Sequence, residues 1–268
     1  MIPAPFRYAR ASDVEHALEL LAEPDAKLIA GGQSLIPVMK LRIARPSVVV
    51  DILRLNLCGI TVADDMLHLG PLTTWDEVLA AGEFRRPALA AIAECAHGIG
   101  DLQVRNRGTV GGSLAHADPA SDLPAVLLAL GATVRLRSPG GERVLPLADF
   151  LVGPFTTALG AQELITDIVV PLLAKSSGSA YVSVEHPASG FALAGAAALV
   201  GPDGGSQIAV TGVAARPFLL GEGDPAESFE TVEIFGDRFA PAEYRRELAA
   251  VVARRALERA AERAKDDG

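Results

Sequence analysis

Two glycine pairs limit what this chain can fold into more than any other feature of it. Ala30-Gly31-Gly32-Gln33-Ser34-Leu35 and Val110-Gly111-Gly112-Ser113-Leu114 each set paired glycines after an apolar residue and before a hydroxyl, about 80 residues apart. Glycine lets the backbone turn through φ > 0 and approach a ligand closely, successive N–H groups can point at phosphate oxygens, and serine adds a donor. Such loops suit a diphosphate held by neutral dipoles; either loop taken alone reads first as a tight turn chosen for φ > 0. Neither matches GxGxxG, nor GxxxxGK followed by Ser or Thr, which disfavours a Rossmann dinucleotide fold and a P-loop. If φ > 0 is what Gly111 and Gly112 supply, a side chain at Gly112 should expel the phosphate.

Around these loops, helix and strand signals alternate. Ser12-Asp13-Val14-Glu15 reads as a capping box opening a helix to Ala22, with Leu18 and Leu21 inward and Pro24 stopping it. A strand at 27–30, a short apolar stretch at 34–41 with Pro37 in its first turn, and a buried strand at 48–50 follow. Residues 60–72 alternate around Ala63-Asp64-Asp65 as a hairpin, Thr74-Trp75-Asp76-Glu77 is a second capping box, and a helix is expected at 87–97. Beyond the polar stretch 98–119 come a helical run at 120–130, strands at 133–137 and 143–147 about Pro139-Gly140-Gly141, and a strand at 163–170. After a linker at 175–178, strands at 191–200 and 207–213 pair across Pro202-Asp203-Gly204-Gly205. A helix at 241–265 then turns Tyr244, Leu248, Val252 and Ala256 to one face.

Charge and cysteine content exclude several functions. The 268 residues carry a net charge of −9, so no nucleic-acid partner is expected, and a phosphate must be bound locally against the global field. The longest apolar run, 191–200, is half of the ~20 residues a membrane span needs, and the N-terminus shows no secretory signal; a cytoplasmic protein is expected. Only Cys58 and Cys95 are present and the five histidines show no HExxH spacing, so the chain cannot build an iron–sulfur cluster alone and no metal site is expected.

The run GDLQVRNRGTVGGSLAHADPASD (100–122) is too polar for a core and too ordered in pattern for a loose loop. Together with AGGQSLIPVMKLR (30–42) it resembles the FAD-binding medium subunit of molybdenum hydroxylases of the carbon monoxide dehydrogenase, aldehyde oxidase and xanthine dehydrogenase type. The resemblance covers nearly the whole chain, through Glu185-His186-Pro187-Ala188-Ser189-Gly190-Phe191-Ala192 to the closing helix. It implies an α+β fold: two FAD-binding subdomains of the p-cresol methylhydroxylase type, 1–57 and 58–173, and a C-terminal α+β domain, 174–268.

The resemblance also implies a site. Ile29, Ala30, Gly31, Gly32, Gln33, Ser34 and Leu35 would line the first diphosphate loop, and Thr109, Val110, Gly111, Gly112 and Ser113 the second. Asp122 would accept a hydrogen bond from the ribose or adenine end with Ser121 beside it, although on its own it reads equally as an acid at a helix N-terminus. His116, Ala117 and Asp118 would lie nearer the isoalloxazine, with Ile165 or Ile168 touching the cofactor from the last strand before Pro171. Molybdopterin and [2Fe-2S] clusters would sit on a large and a small partner subunit, in a dimer of heterotrimers, and no residue of this chain would be catalytic. Three departures stand out: Ser183 where relatives carry Lys, Leu102 where Pro is frequent, and a short C-terminal domain. Two other readings remain at this point. Gly111-Gly112-Ser113-Leu114-Ala115 approximates a GxSxG nucleophile elbow with Asp122 and His186 following in α/β-hydrolase order, and a non-catalytic scaffold subunit fits the same chain without cofactor.

Overall fold

The β-branched run Val48-Val49-Val50 is the centre of the first sheet. In the computed structural model, which describes residues 1–221 and 228–266, β1 (Arg7–Arg10), β2 (Lys27–Ile29) and β3 (Val48–Asp51) lie parallel in the order β1-β3-β2, and all three valines are buried. Parallel neighbours need crossovers, which α1 (Val14–Leu21) and α2 (Leu35–Lys40) provide. The cap of α1 is one residue later than the capping-box reading: the Asp13 carboxylate accepts the His16 N–H at 2.8 Å, and Ser12 donates its hydroxyl to Asp13.

The second sheet is antiparallel. β4 (Ile60–Ala63), β5 (Met66–Leu69), β6 (Thr133–Ser138), β7 (Gly141–Pro146) and β10 (Leu164–Pro171) run in the order β4-β5-β10-β6-β7, and β8 (Leu151–Gly153) pairs separately with β9 (Thr156–Thr157). The expected hairpin at Ala63-Asp64-Asp65 forms with both aspartates at positive φ, 51° and 57°, as a two-residue type I′ turn requires. Between β5 and β6 come α3 (Trp75–Ala80), α4 (Ala90–Gly98), α5 (Leu102–Arg105), α6 (Val110–His116) and α7 (Asp122–Ala129); α8 (Leu147–Phe150) follows β7. The capping box of α3 is complete, with Thr74 and Glu77 each accepting from the other's backbone. Helix α7 is buried along its whole length, in contact with α4 and with the third sheet.

That third sheet, β11 (Gly178–Glu185), β12 (Ala192–Val200), β13 (Ser206–Thr211) and β14 (Phe218–Leu219), is antiparallel and in sequence order, and α9 (Ala242–Asp266) packs on it. The buried face of α9 is Arg245, Ala249, Val252, Ala253, Ala256, Ala260 and Ala264; of the expected stripe Val252 and Ala256 are buried and Leu248 packs at the edge, but Tyr244 is 47% exposed. The reason is close approach: five of the nine residues of β12 are alanine, and a Cβ on Gly178 would fall on the Ala260 carbonyl, so only small side chains fit between helix and sheet. Arg245 is buried because it satisfies open carbonyls at the sheet end, donating to Leu193 O and Gly212 O at 2.7 Å each and to Asp237 at 2.8 Å.

Candidate cofactor-binding site

The two glycine motifs meet. The first follows β2 and leads into α2; the second begins α6; and a Cβ placed on Gly31 would land on the carbonyl oxygen of Arg107, with the Arg107 carbonyl carbon 2.6 Å and the Gly108 Cα 3.0 Å away. Gly108 in turn accepts the Trp75 N–H and packs under its indole, while Thr109 bridges to Thr74. No local pattern marks these contacts, which run between Gly31 and Arg107, Trp75 and Gly108, and Thr74 and Thr109, segments 76, 33 and 35 residues apart.

The motifs differ in what they leave free. Gly32 is left-handed, at φ 77°, and no N–H from Gly31 to Leu35 has an acceptor among the described residues. The second motif is not a loop but the first turn of α6, and its donors are spent: Val110 N–H on Thr73 O (3.0 Å), Gly111 N–H on Pro71 O (2.8 Å), Gly112 N–H on the Thr109 hydroxyl (3.1 Å) and Ser113 N–H on Thr109 O (3.0 Å). Neither Gly111 nor Gly112 has positive φ, so the dihedral argument for them is corrected: glycine is needed there for space. A Cβ on Gly111 would press on Pro71, whose carbonyl oxygen would stand at 2.8 Å; one on Gly112 would meet only the Thr109 hydroxyl, at 2.7 Å.

At its far end α6 closes on Ala117, left-handed at φ 49°, whose carbonyl accepts the Phe155 N–H at 2.8 Å; the His116 ring lies 5.2 Å from that of Phe155. An L residue in this conformation is strained and glycine is not. Ala117→Gly is therefore expected to stabilise the protein by up to roughly 1 kcal/mol, read as an increase in the urea midpoint.

Ser121, the residue before α7, turns its hydroxyl to Ser113 (2.9 Å) rather than capping its own helix. Asp122 is the first residue of α7 and 8% exposed; its carboxyl accepts a hydrogen bond from the Tyr181 hydroxyl on β11. Burial pushes Asp122 up to about 7, with the charges of Glu185 and Asp118 adding to it and the Tyr181 bond opposing it. Burial likewise raises the Tyr181 hydroxyl and the Cys95 thiol, each further raised by the Asp122 charge.

Residues 4–173 match the family described as FAD binding domain in molybdopterin dehydrogenase. This chain belongs to that family. The carbon monoxide dehydrogenase medium chain of Afipia carboxidovorans is 34% identical over 99% of this chain and 100% of its own length. The 6-hydroxypseudooxynicotine dehydrogenase complex subunit alpha of Paenarthrobacter nicotinovorans is 44% identical over 75% of this chain and 68% of its own. Among solved structures, carbon monoxide dehydrogenase from Hydrogenophaga pseudoflava superposes with a TM-score of 0.92 at 34% identity, covering 98% of this chain and 99% of that one.

As a member of the molybdopterin dehydrogenase family the chain is an oxidoreductase subunit of the medium-chain type, with an FAD-binding domain and an α+β fold. The first glycine loop fits that cofactor: a run of unpaired N–H groups beside a left-handed glycine is what a diphosphate needs. The hydrolase constellation does not assemble. Ser113 bonds Ser121, Asp122 bonds Tyr181, and His186 accepts the Ala188 N–H with its ring against Phe239. Ile165 and Ile168 lie in the core beneath the second sheet; Ile168, in register with Leu69 and Val134, is fully buried and offers a ligand no surface. Among the described residues no group of three or more His, Cys, Asp or Glu could hold a metal ion, and no helix is long and apolar enough to cross a membrane.

Proposed function

We propose that this chain carries FAD non-covalently as the electron-transfer subunit of a molybdenum hydroxylase. It would take electrons from [2Fe-2S] clusters of a small subunit and pass them to an external acceptor, while substrate is oxidised at molybdopterin on a large subunit. The observation that carries the reading is the unpaired N–H run from Gly31 to Leu35, held against Arg107 and Gly108. When bound, FAD accepts electrons singly and releases two together. The chain's own residues bind and orient it. Ile29 and Ala30 lead into the loop; Gly31, Gly32, Gln33, Ser34 and Leu35 supply donors to the diphosphate; Thr109, Val110, Gly111, Gly112 and Ser113 form the wall behind it. Asp122, with Ser121, would receive the ribose or adenine end, and Ala117 and Ile165 would border the ring. Three sheets, each with a hydrophobic cluster, support the division into 1–57, 58–173 and 174–268. A dimer of heterotrimers in the cytoplasm is the assembly and location that go with this role.

The protein purified through this chain is expected to show oxidised-flavin absorbance, to release FAD on denaturation, and to travel with a molybdopterin subunit and an iron–sulfur subunit. Release of FMN, or no flavin after reconstitution, would count against the proposal. So would a lone chain that oxidises an organic substrate.

A further inference from the structure

We propose that Arg107, whose backbone touches the first glycine loop, supplies the positive charge that offsets the FAD diphosphate. This rests on the FAD reading above and adds a residue which that reading leaves out.

Three observations carry it. The first is position: the Arg107 carbonyl stands where a Gly31 side chain would be, so the two backbones are in contact and Arg107 is a neighbour of the loop. The second is availability. The Arg107 side chain is exposed and has no partner among the described residues, whereas Arg105 is committed to Ile99 O and Gly100 O, Arg10 to Asp51, Arg7 to Glu23 and Arg42 to Ile2 O; Lys40, also exposed, stands at the C-terminal end of α2, away from the loop that precedes that helix. The third is need. The chain carries a net charge of −9, and the Glu77 carboxylate is fixed by the Thr74 N–H at 2.7 Å, on the residue that bridges to Thr109. Neutral N–H dipoles alone would hold two phosphate charges in a negative surrounding field. A guanidinium matches phosphate oxygens with paired donors and stays charged at every working pH.

The test uses the complex isolated through this chain, stripped of flavin and titrated with FAD and with riboflavin, which lacks the diphosphate. Arg107→Ala is expected to weaken FAD binding about tenfold or more, to flatten its dependence on ionic strength, and to leave riboflavin binding unchanged. Arg107→Lys should recover part of the loss. Arg54→Ala, removing another exposed cation of the first unit, should match wild type. Circular dichroism checks folding, which an exposed side chain without partners should not disturb. Equal FAD affinity in wild type and Arg107→Ala overturns the assignment, as does an equal loss for riboflavin or a loss at Arg54→Ala alone. Wild-type protein that takes up no FAD at all overturns the FAD reading and this assignment with it.

Discussion

Gly31→Ala is expected to strip FAD from the protein, the largest loss of any single methyl group at the site. The added Cβ would fall on a backbone carbonyl, with the Arg107 carbonyl carbon at 2.6 Å and Gly108 Cα at 3.0 Å. Backbone cannot rotate away as a side chain can, so the first loop and the start of α6 must separate. Overpacking of this kind costs roughly 1–3 kcal/mol or more, and here it falls on the junction that positions the N–H groups. Gly111→Ala should come next, since it meets Pro71 and threatens the 2.8 Å bond from Gly111 N–H to Pro71 O. Gly112→Ala should be mildest: only the Thr109 hydroxyl is in the way, and moving it costs a helix cap of about 1 kcal/mol. Bound FAD per chain, from absorbance on protein shown to be folded by circular dichroism, gives the ranking. Trp75 is the only tryptophan and packs on Gly108, so its fluorescence reports the junction independently. A folded Gly31→Ala protein with full flavin would refute the role of the first loop.

That ranking departs from what the sequence alone suggests, and the reason is physical. Both motifs read as Gly-Gly before a hydroxyl, and the pattern cannot say whether glycine is needed for φ, for ligand approach or for packing. In the first motif Gly32 needs the dihedral and Gly31 the close approach; in the second, Gly111 needs space against Pro71, a residue 40 positions away. Features set by neighbours in sequence were legible: the capping box at Thr74, the Asp64-Asp65 turn, the Val48–Val50 strand and the hairpin about Pro139 to Gly141 all formed. What depended on tertiary contact was not. That Arg245 and not Tyr244 joins Val252 and Ala256 on the inward face of α9 was set by carbonyls it meets only in the fold, and the partner of Asp122 lies 59 residues away on β11. Tyr181 carries no local signal of that pairing, since an alternating strand places an aromatic inward whether or not its hydroxyl has work to do.

Asp122→Asn is expected to change the pH dependence of stability more than any other single substitution at the site. In the folded chain burial pushes Asp122 up to about 7, while in the unfolded chain it titrates near 3.8. Between these values the folded state holds a proton that the unfolded state has released, so this group's contribution is fully present below about pH 4 and is lost as pH rises toward 7. At 1.36 kcal/mol per unit the loss is on the order of 4 kcal/mol. Asparagine keeps the shape and the oxygen that accepts from Tyr181, but has no charge to bury. The variant should therefore match wild type at pH 4 and become progressively more stable relative to it up to pH 8. Taking the difference between two otherwise identical chains cancels Glu94, Asp51 and Glu163, carboxylates that are held low in the fold and titrate with the opposite sign. Tyr181→Phe removes the one bond that favours ionised Asp122, so it should move the titration higher and steepen the loss near neutrality. Urea unfolding of the flavin-free chains at several pH values between 4 and 8 measures all three. A stability difference between wild type and Asp122→Asn that stays constant across that range would mean that Asp122 is ionised in the fold throughout, and that Tyr181 meets a charged carboxylate rather than a neutral one.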